Sequence, residues 1–360
     1  MVVFFGAKDL AEGAFNFFQL GRELNQNVVF LNNGANDWYQ YGVPGLGSSF
    51  EATVGSLKRW RDAIGANEIC AIGTSMGGYA AVQYGAALGA RILSFSTDAV
   101  LNAPHSQSER HFKGEGPPSC ADLRPLIAST SADVTLFVGE RDVSDIYSAH
   151  LLRGVDGVKA VSLIGVGHVV PSFLSRAGRL APLLRRFIAG REIGPQVGAG
   201  QALEAEGYPE AAFAAHCATK AGDWTTAEEL ARVALTAYPY GEAAELLLGL
   251  SLLKQHRFSE AADALSLACV SQPTDVNALT KLAGALRRSG GVARARQIYQ
   301  QILTLSPDHH QAHYGMCLLH LIDDDAVGAR ASIERALRIA PKNKSYLERK
   351  KKMSSSKSAG

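Results

Sequence analysis

Prolines recur at Pro239, Pro273, Pro307 and Pro341, each 34 residues after the one before. A fixed period of this length marks a stack of like units, none of which can bury its apolar face without neighbours. Aligned on the prolines, Ala227, Ala261, Ala295 and Ala329 share one position. Ala234, Ala268 and Ala336 share a second, which Ile302 fills in the third unit. Small residues at fixed offsets let antiparallel helices approach closely, and the proline ends the second helix of each pair. The chain from about residue 208 to 344 is therefore expected to be all helical, in about four repeats.

The fullest unit, with Leu248, Gly249, Leu252, Phe258, Ala261, Leu265, Ala268 and Pro273 in register, resembles the tetratricopeptide repeat. The first unit is degenerate, with Ala215 in place of the usual glycine, and the last carries Asp323, Asp324 and Asp325 in its turn. The resemblance implies a curved solenoid whose inner groove holds a peptide or partner protein. Glu245, Asn277, Lys281, His313 and His216 are the polar residues of first helices expected to face that groove. His309 and His310 stand at a helix start and are expected to cap it or lie at the surface.

Ahead of the array, strand and helix patterns alternate. Apolar runs at 2–5, 27–31, 69–72, 91–95, 134–138 and 158–164 have strand length, and helical patterns separate them. Asp9 with Glu12, and Ser48 with Glu51, have capping-box spacing and are expected to open helices. A further amphipathic helix is expected over 171–188. Such alternation gives a mainly parallel sheet covered by helices on both faces. The fold expected is thus an α/β domain over 1–190, then a Gly-rich linker and leading helix over 191–207, the array over 208–344, and a basic low-complexity tail over 345–360. The start of that tail, 344–352, also has the length of a capping helix.

The chemistry-bearing stretch is Gly73-Thr74-Ser75-Met76-Gly77, preceded by an apolar strand and followed by a small-residue helix pattern. A strand that turns at once into a helix crowds the positions two before and two after the turn, so both are glycine. The turning residue is held in strained geometry with its hydroxyl clear of the sheet. With Gly78 next in line, these residues resemble the nucleophile elbow of the α/β-hydrolase superfamily, in a short version that lacks the first two antiparallel strands. The resemblance implies a triad in the order Ser, acid, His. Ser75 is then the nucleophile. His168, after the strand at 158–164, is the base, and Asp142, after the strand at 134–138, is the acid, with Asp98 and Asp145 as rivals for that role. It also implies an oxyanion hole from the Met76 N–H and, in the loop after the first strand, the Ala7 N–H; the His-Gly signature often found there is absent. Trp38 and Tyr39, in an aromatic loop expected on the Ser75 rim, and Lys8 are the candidate substrate contacts, against alternative roles in packing and as a solvated cation.

Composition narrows the rest. A formal net charge of +2 gives no electrostatic case for nucleic acid. The five cysteines are scattered without a C-x-x-C pair, which fits free thiols in a reducing compartment better than disulfides or zinc. No apolar run reaches membrane-spanning length and no signal peptide is read, so a cytoplasmic protein without metal or cofactor is expected. Three readings follow: a serine hydrolase of esters or thioesters coupled to a docking array, a glycan O-acyltransferase to which the Ser-Met-Gly-Gly-Tyr run bears a loose resemblance, and a non-catalytic scaffold whose repeats do the work.

Overall fold

The computed structural model describes residues 1–194, 196 and 198–355; Pro195 and Val197 of the expected linker and residues 356–360 of the tail lie outside that set. The chain divides into two compact units. The first comprises residues 1–217 with 236–241, and the second 218–235 with 242–360.

The first unit is built on a six-stranded sheet of β1 (Val2–Phe5), β2 (Val28–Leu31), β3 (Cys70–Thr74), β4 (Arg91–Phe95), β5 (Asp133–Gly139) and β6 (Val158–Leu163). The order is β2-β1-β3-β4-β5-β6 and every pairing is parallel. Successive side chains of a strand point to opposite faces. Val3, Phe5 and Ala71 accordingly enter the core cluster on one face, while Val2, Phe4, Cys70 and Ile72 enter the other. Burial on both faces is why these strands read as continuous apolar runs.

Helices α1 (Phe18–Arg22), α2 (Phe50–Ala63), α3 (Met76–Leu88), α4 (Gln107–His111), α5 (Leu123–Thr130), α6 (Val143–Arg153), α7 (Val170–Arg176) and α8 (Leu180–Ile188) connect and cover the sheet. Three depart from the sequence reading. No helix opens at Asp9. That residue has φ 59°, and its carboxylate meets Lys8 and the Asn36 side chain, leaving only the short α1. The cap of α2 is Ser49, whose side chain accepts from the Ala52 N–H. The helix expected over 171–188 breaks between α7 and α8, where Gly178 has φ 67°.

The first unit also runs past the expected boundary at 190. Helix α9 (Tyr208–Ala221) begins within it. Phe213 lies flat on Tyr147 of α6 at 4.1 Å between ring centroids, and Glu210 pairs with His150 at 3.0 Å. The buried Glu140 carboxylate, just past β5, accepts from the Ser162 hydroxyl at 2.7 Å, the Ala202 N–H at 2.9 Å and the Tyr238 hydroxyl at 3.3 Å. A buried carboxylate persists only when hydrogen-bonded in this way, and here its donors belong to β6, the leading segment and the turn at 236–241.

The second unit holds the end of α9, most of α10 (Trp224–Ala237), then α11 (Glu242–Lys254), α12 (Phe258–Ala268), α13 (Val276–Arg288), α14 (Val292–Leu305), α15 (His310–Ile322), α16 (Ala326–Ile339) and α17 (Lys344–Ser355). The residues aligned at the 34-residue period, Ala227, Ala261, Ala295 and Ala329, are all fully buried. A Cβ on Gly249 would stand 2.6 Å from Leu265, which fixes how closely α11 and α12 pack. The basic segment after 344 forms α17, anchored where buried Tyr346 stacks on Tyr314 at 4.5 Å. Among the described residues, no helix is long and apolar enough to cross a membrane.

Candidate functional site

The order β2-β1-β3 reverses the direction of strand addition between β1 and β3, and the carboxyl edge of an open parallel sheet carries its ligand crevice at such a point. Ser75 stands there, between β3 and α3. Its φ of 55° and ψ of −121° are uncommon for a residue with a side chain, and its N–H donates to Phe95 O of β4 at 2.8 Å. The flanking glycines make the turn possible. A Cβ on Gly73 would fall 1.9 Å from Gly77 O, and one on Gly77 would fall 2.2 Å from Phe5 O.

His168 follows β6 through Gly165, Val166 and Gly167. Its Nε2 is 2.9 Å from Ser75 Oγ, and its Nδ1 lies 2.9 and 3.0 Å from the two oxygens of Asp145. The sequence-favoured acid, Asp142, does not make that contact. Asp142 is the N-cap of α6 and accepts from the N–H groups of Ser144 and Asp145, both at 3.1 Å. Its Oδ1 takes both bonds at the helix end, whereas Asp145, one turn further along and only 1% exposed, meets the imidazole. Asp98, the other rival, is buried beyond β4 and accepts from the Ser108 N–H at 2.8 Å. A strand end followed by D-x-x-D carries a signal for this arrangement, because one carboxylate caps the helix while the second, a turn later, is released.

Asp142, Asp145 and His168 each bring a donor atom within 4.8 Å of the others. Both imidazole nitrogens are already engaged, Nε2 by Ser75 and Nδ1 by Asp145. Burial alone pulls the imidazole below its ordinary value, but the Asp145 carboxylate, with Asp142 and Asp98 behind it, outweighs burial and raises it. Burial and the neighbouring Asp142 charge push Asp145 up in turn.

The other expected site residues are placed differently. Met76 N–H lies in the first turn of α3, where amides have no intrahelical acceptor. Ala7 N–H donates to Asn16 Oδ1 at 2.6 Å, so that amide is occupied. Trp38 and Tyr39 are corrected from substrate contacts to core: both are fully buried, and the Tyr39 hydroxyl accepts from Gly6 N–H at 2.9 Å and donates to Leu31 O at 3.0 Å. Lys8 pairs with Asp9 at 2.5 Å. In the array, Glu245 is buried, and His313 Nε2 bonds Pro307 O at 2.8 Å. His216 packs edge-on against His105 in the first unit, and His309 caps α15 as expected.

Comparison with known proteins bears on the repeats. The tetratricopeptide repeat family model matches residues 214–276 and 280–344. No curated protein matches the chain. Among solved structures, YrrB, described as a TPR protein with an unusual peptide-binding site, is 18% identical over 50% of this chain and 88% of its own, with a TM-score of 0.39. TTC0263, a thermophilic TPR protein from Thermus thermophilus, is 17% identical over 51% of this chain and 95% of its own, with a TM-score of 0.35. The first TPR of Spaghetti (RPAP3), bound to an HSP90 peptide, is 20% identical over 32% of this chain and 93% of its own, with a TM-score of 0.31. The C-terminal region of this chain, residues 214–344, carries tetratricopeptide repeats.

Proposed function

We propose that the first unit is a serine hydrolase of the α/β-hydrolase type acting on an ester or thioester, and that the repeats dock a protein or peptide. One observation carries the catalytic reading: the His168 imidazole joins the Ser75 hydroxyl on one nitrogen and the buried Asp145 carboxylate on the other. In the proposed reaction His168 takes the Ser75 proton as Oγ attacks the acyl carbonyl, and Asp145 holds the ring and its developing charge. Met76 N–H at the α3 N-terminus faces the charge that grows on the carbonyl oxygen. His168 returns the proton to the leaving group, and water then repeats the sequence on the acyl-enzyme.

A fluorophosphonate probe is expected to add covalently to Ser75, located by peptide mass mapping of the treated protein. An unmodified Ser75 in folded protein would sink the reading. The rate is also expected to depend on pH with a definite sign. Only the neutral imidazole accepts the Ser75 proton, and its affinity for protons is raised. Activity on an acetate ester should therefore climb with pH through a midpoint above the ordinary histidine value of about 6.5. Asp142→Asn removes one of the charges that raise it, so the midpoint should move down.

A second reading, a non-catalytic platform for the repeats, draws on the Asn16 side chain that occupies Ala7 N–H and on a family match confined to the array. Covalent labelling of Ser75 in the probe experiment above would exclude it. The glycan acyltransferase reading keeps its loose resemblance in the Ser-Met-Gly-Gly-Tyr run but loses Trp38 and Tyr39 as acceptor contacts, since both are buried.

A further inference from the structure

Within the second unit, a groove of about 270 Å³ runs between the first helices of two successive repeats, α11 and α13. Its apolar floor is Leu250 and Leu253, and its walls carry Lys254, Lys281, Arg287 and Arg288. Gly284 also lines it, and a Cβ there would meet nothing within 4 Å, so the missing side chain leaves open room.

The four cations have no carboxylate partner among the described residues. Cations elsewhere in the same unit do: Arg257 holds Glu228 and Glu260, and Arg335 holds Asp308. Two of the groove cations are set by a repeated device. Lys254 lies 5.3 Å from the Trp224 ring centre, and Arg288 lies 5.1 Å from that of Phe258. The two cations are one 34-residue period apart, as are the two rings, and Lys220 stands one period earlier. An aromatic face orients a cation without neutralising it. Arg287 adds a buried Nε with no hydrogen-bond partner among the described residues. Four like charges around one narrow groove repel one another, a cost that an anionic occupant would reverse.

We propose that this groove receives an extended acidic segment of a partner protein. Its carboxylates would pair with Lys254, Lys281, Arg287 and Arg288, and an apolar side chain between them would rest on Leu250 and Leu253. The proposal gives a chemical class to the partner of the docking reading above and rests on that reading. A single-stranded nucleic acid fits less well, because such strands bind by stacking bases on open aromatic faces, and the rings beside this groove already carry cations.

The test uses the full chain and fluorescein-labelled nine-residue peptide pools. One pool alternates Asp or Glu with Leu or Ala, and its counterpart carries Asn or Gln at the acidic positions. Fluorescence anisotropy should show the acidic pool binding about tenfold tighter, a difference of about 1.4 kcal/mol, with the advantage shrinking as salt is raised. Lys281→Gln with Arg287→Gln should remove that preference, circular dichroism reporting an intact fold, whereas Lys58→Gln in the first unit should keep it. Equal binding of the two pools, tighter binding of oligothymidylate, an unchanged preference in the double variant, or no binding of either pool overturns the proposal. Preference for the neutral pool overturns it as well, while leaving a docking array with a different partner. Phosphonylation of Ser75 should be the same in every variant, so failure here is separable from failure of the acyl chemistry.

Discussion

Asp145→Asn is expected to lower kcat for ester hydrolysis by about 10³–10⁴-fold, while Asp142→Asn stays within about tenfold of the parent. The amide can still bond His168 Nδ1, but it offers an N–H where the imidazole needs an acceptor. The ring is then held in the tautomer that carries its proton on Nε2, facing Ser75, and cannot take the hydroxyl proton. Asp145 is also the only carboxylate bonded to that ring among the described residues, so no neighbouring group replaces it. Asp142 is bound differently: its Oδ1 receives two amides of α6, and asparagine caps helices about as well as aspartate. Its replacement should leave stability within a few tenths of a kcal/mol and act on rate only through the midpoint of the pH profile. Steady-state kinetics of the two variants decide the matter. If Asp142→Asn is the crippled one, the acid has been misassigned and the observed pairing does not survive in solution.

The contrast marks where local sequence ran out. Both carboxylates follow the same strand, and the sequence favours the nearer one. What separates them is competition for a helix end, since the first acidic residue of the pair satisfies the open amides of α6 and the second is left to the imidazole. The same kind of competition explains the loop at 32–47. Aromatic residues beside a sheet edge read equally as pocket wall or as packing, and the deciding contact, the Tyr39 hydroxyl on Gly6 and Leu31, is made with residues distant in sequence. Asp9 has the spacing of a cap, yet its carboxylate bonds Asn36 across the loop and no helix follows. Phe15 and Phe17 join Phe4 and Phe30 in an aromatic cluster beside α1. The strands were legible as short apolar runs because the sheet is buried on both faces, and the repeats because burial recurs every thirty-four residues. The boundary between units was not, because Glu140 and Tyr147 bind the leading segment through single side chains that leave no pattern.

Gly77→Ala is expected to cost the first unit more than about 4 kcal/mol, enough to leave it unfolded or molten under native conditions. The added methyl would stand 2.2 Å from Phe5 O and 2.7 Å from Gly6 O. Both are backbone atoms of β1 and its exit, which cannot swing aside as a side chain can. Relief requires α3 to lift from the sheet, and α3 is almost wholly buried, with Tyr79, Ala80, Ala81, Val82 and Tyr84 fully enclosed. Every ångström of withdrawal forfeits dispersion contacts along that face. The same displacement would carry Ser75 away from His168, so any folded remnant should also lose phosphonylation. Gly55→Ala is the control within the same unit. It lies inside α2, and its methyl would find only Arg59 Nη1 at 3.5 Å, an ordinary contact. Replacing a helical glycine by alanine in open space restricts the unfolded chain and should stabilise by about 0.5–1 kcal/mol. Urea unfolding followed by near-ultraviolet circular dichroism distinguishes the pair. Gly77→Ala with an unshifted first transition would mean that α3 does not lie against β1 in solution, and the close approach that sets Ser75 in its strained turn would have to be abandoned.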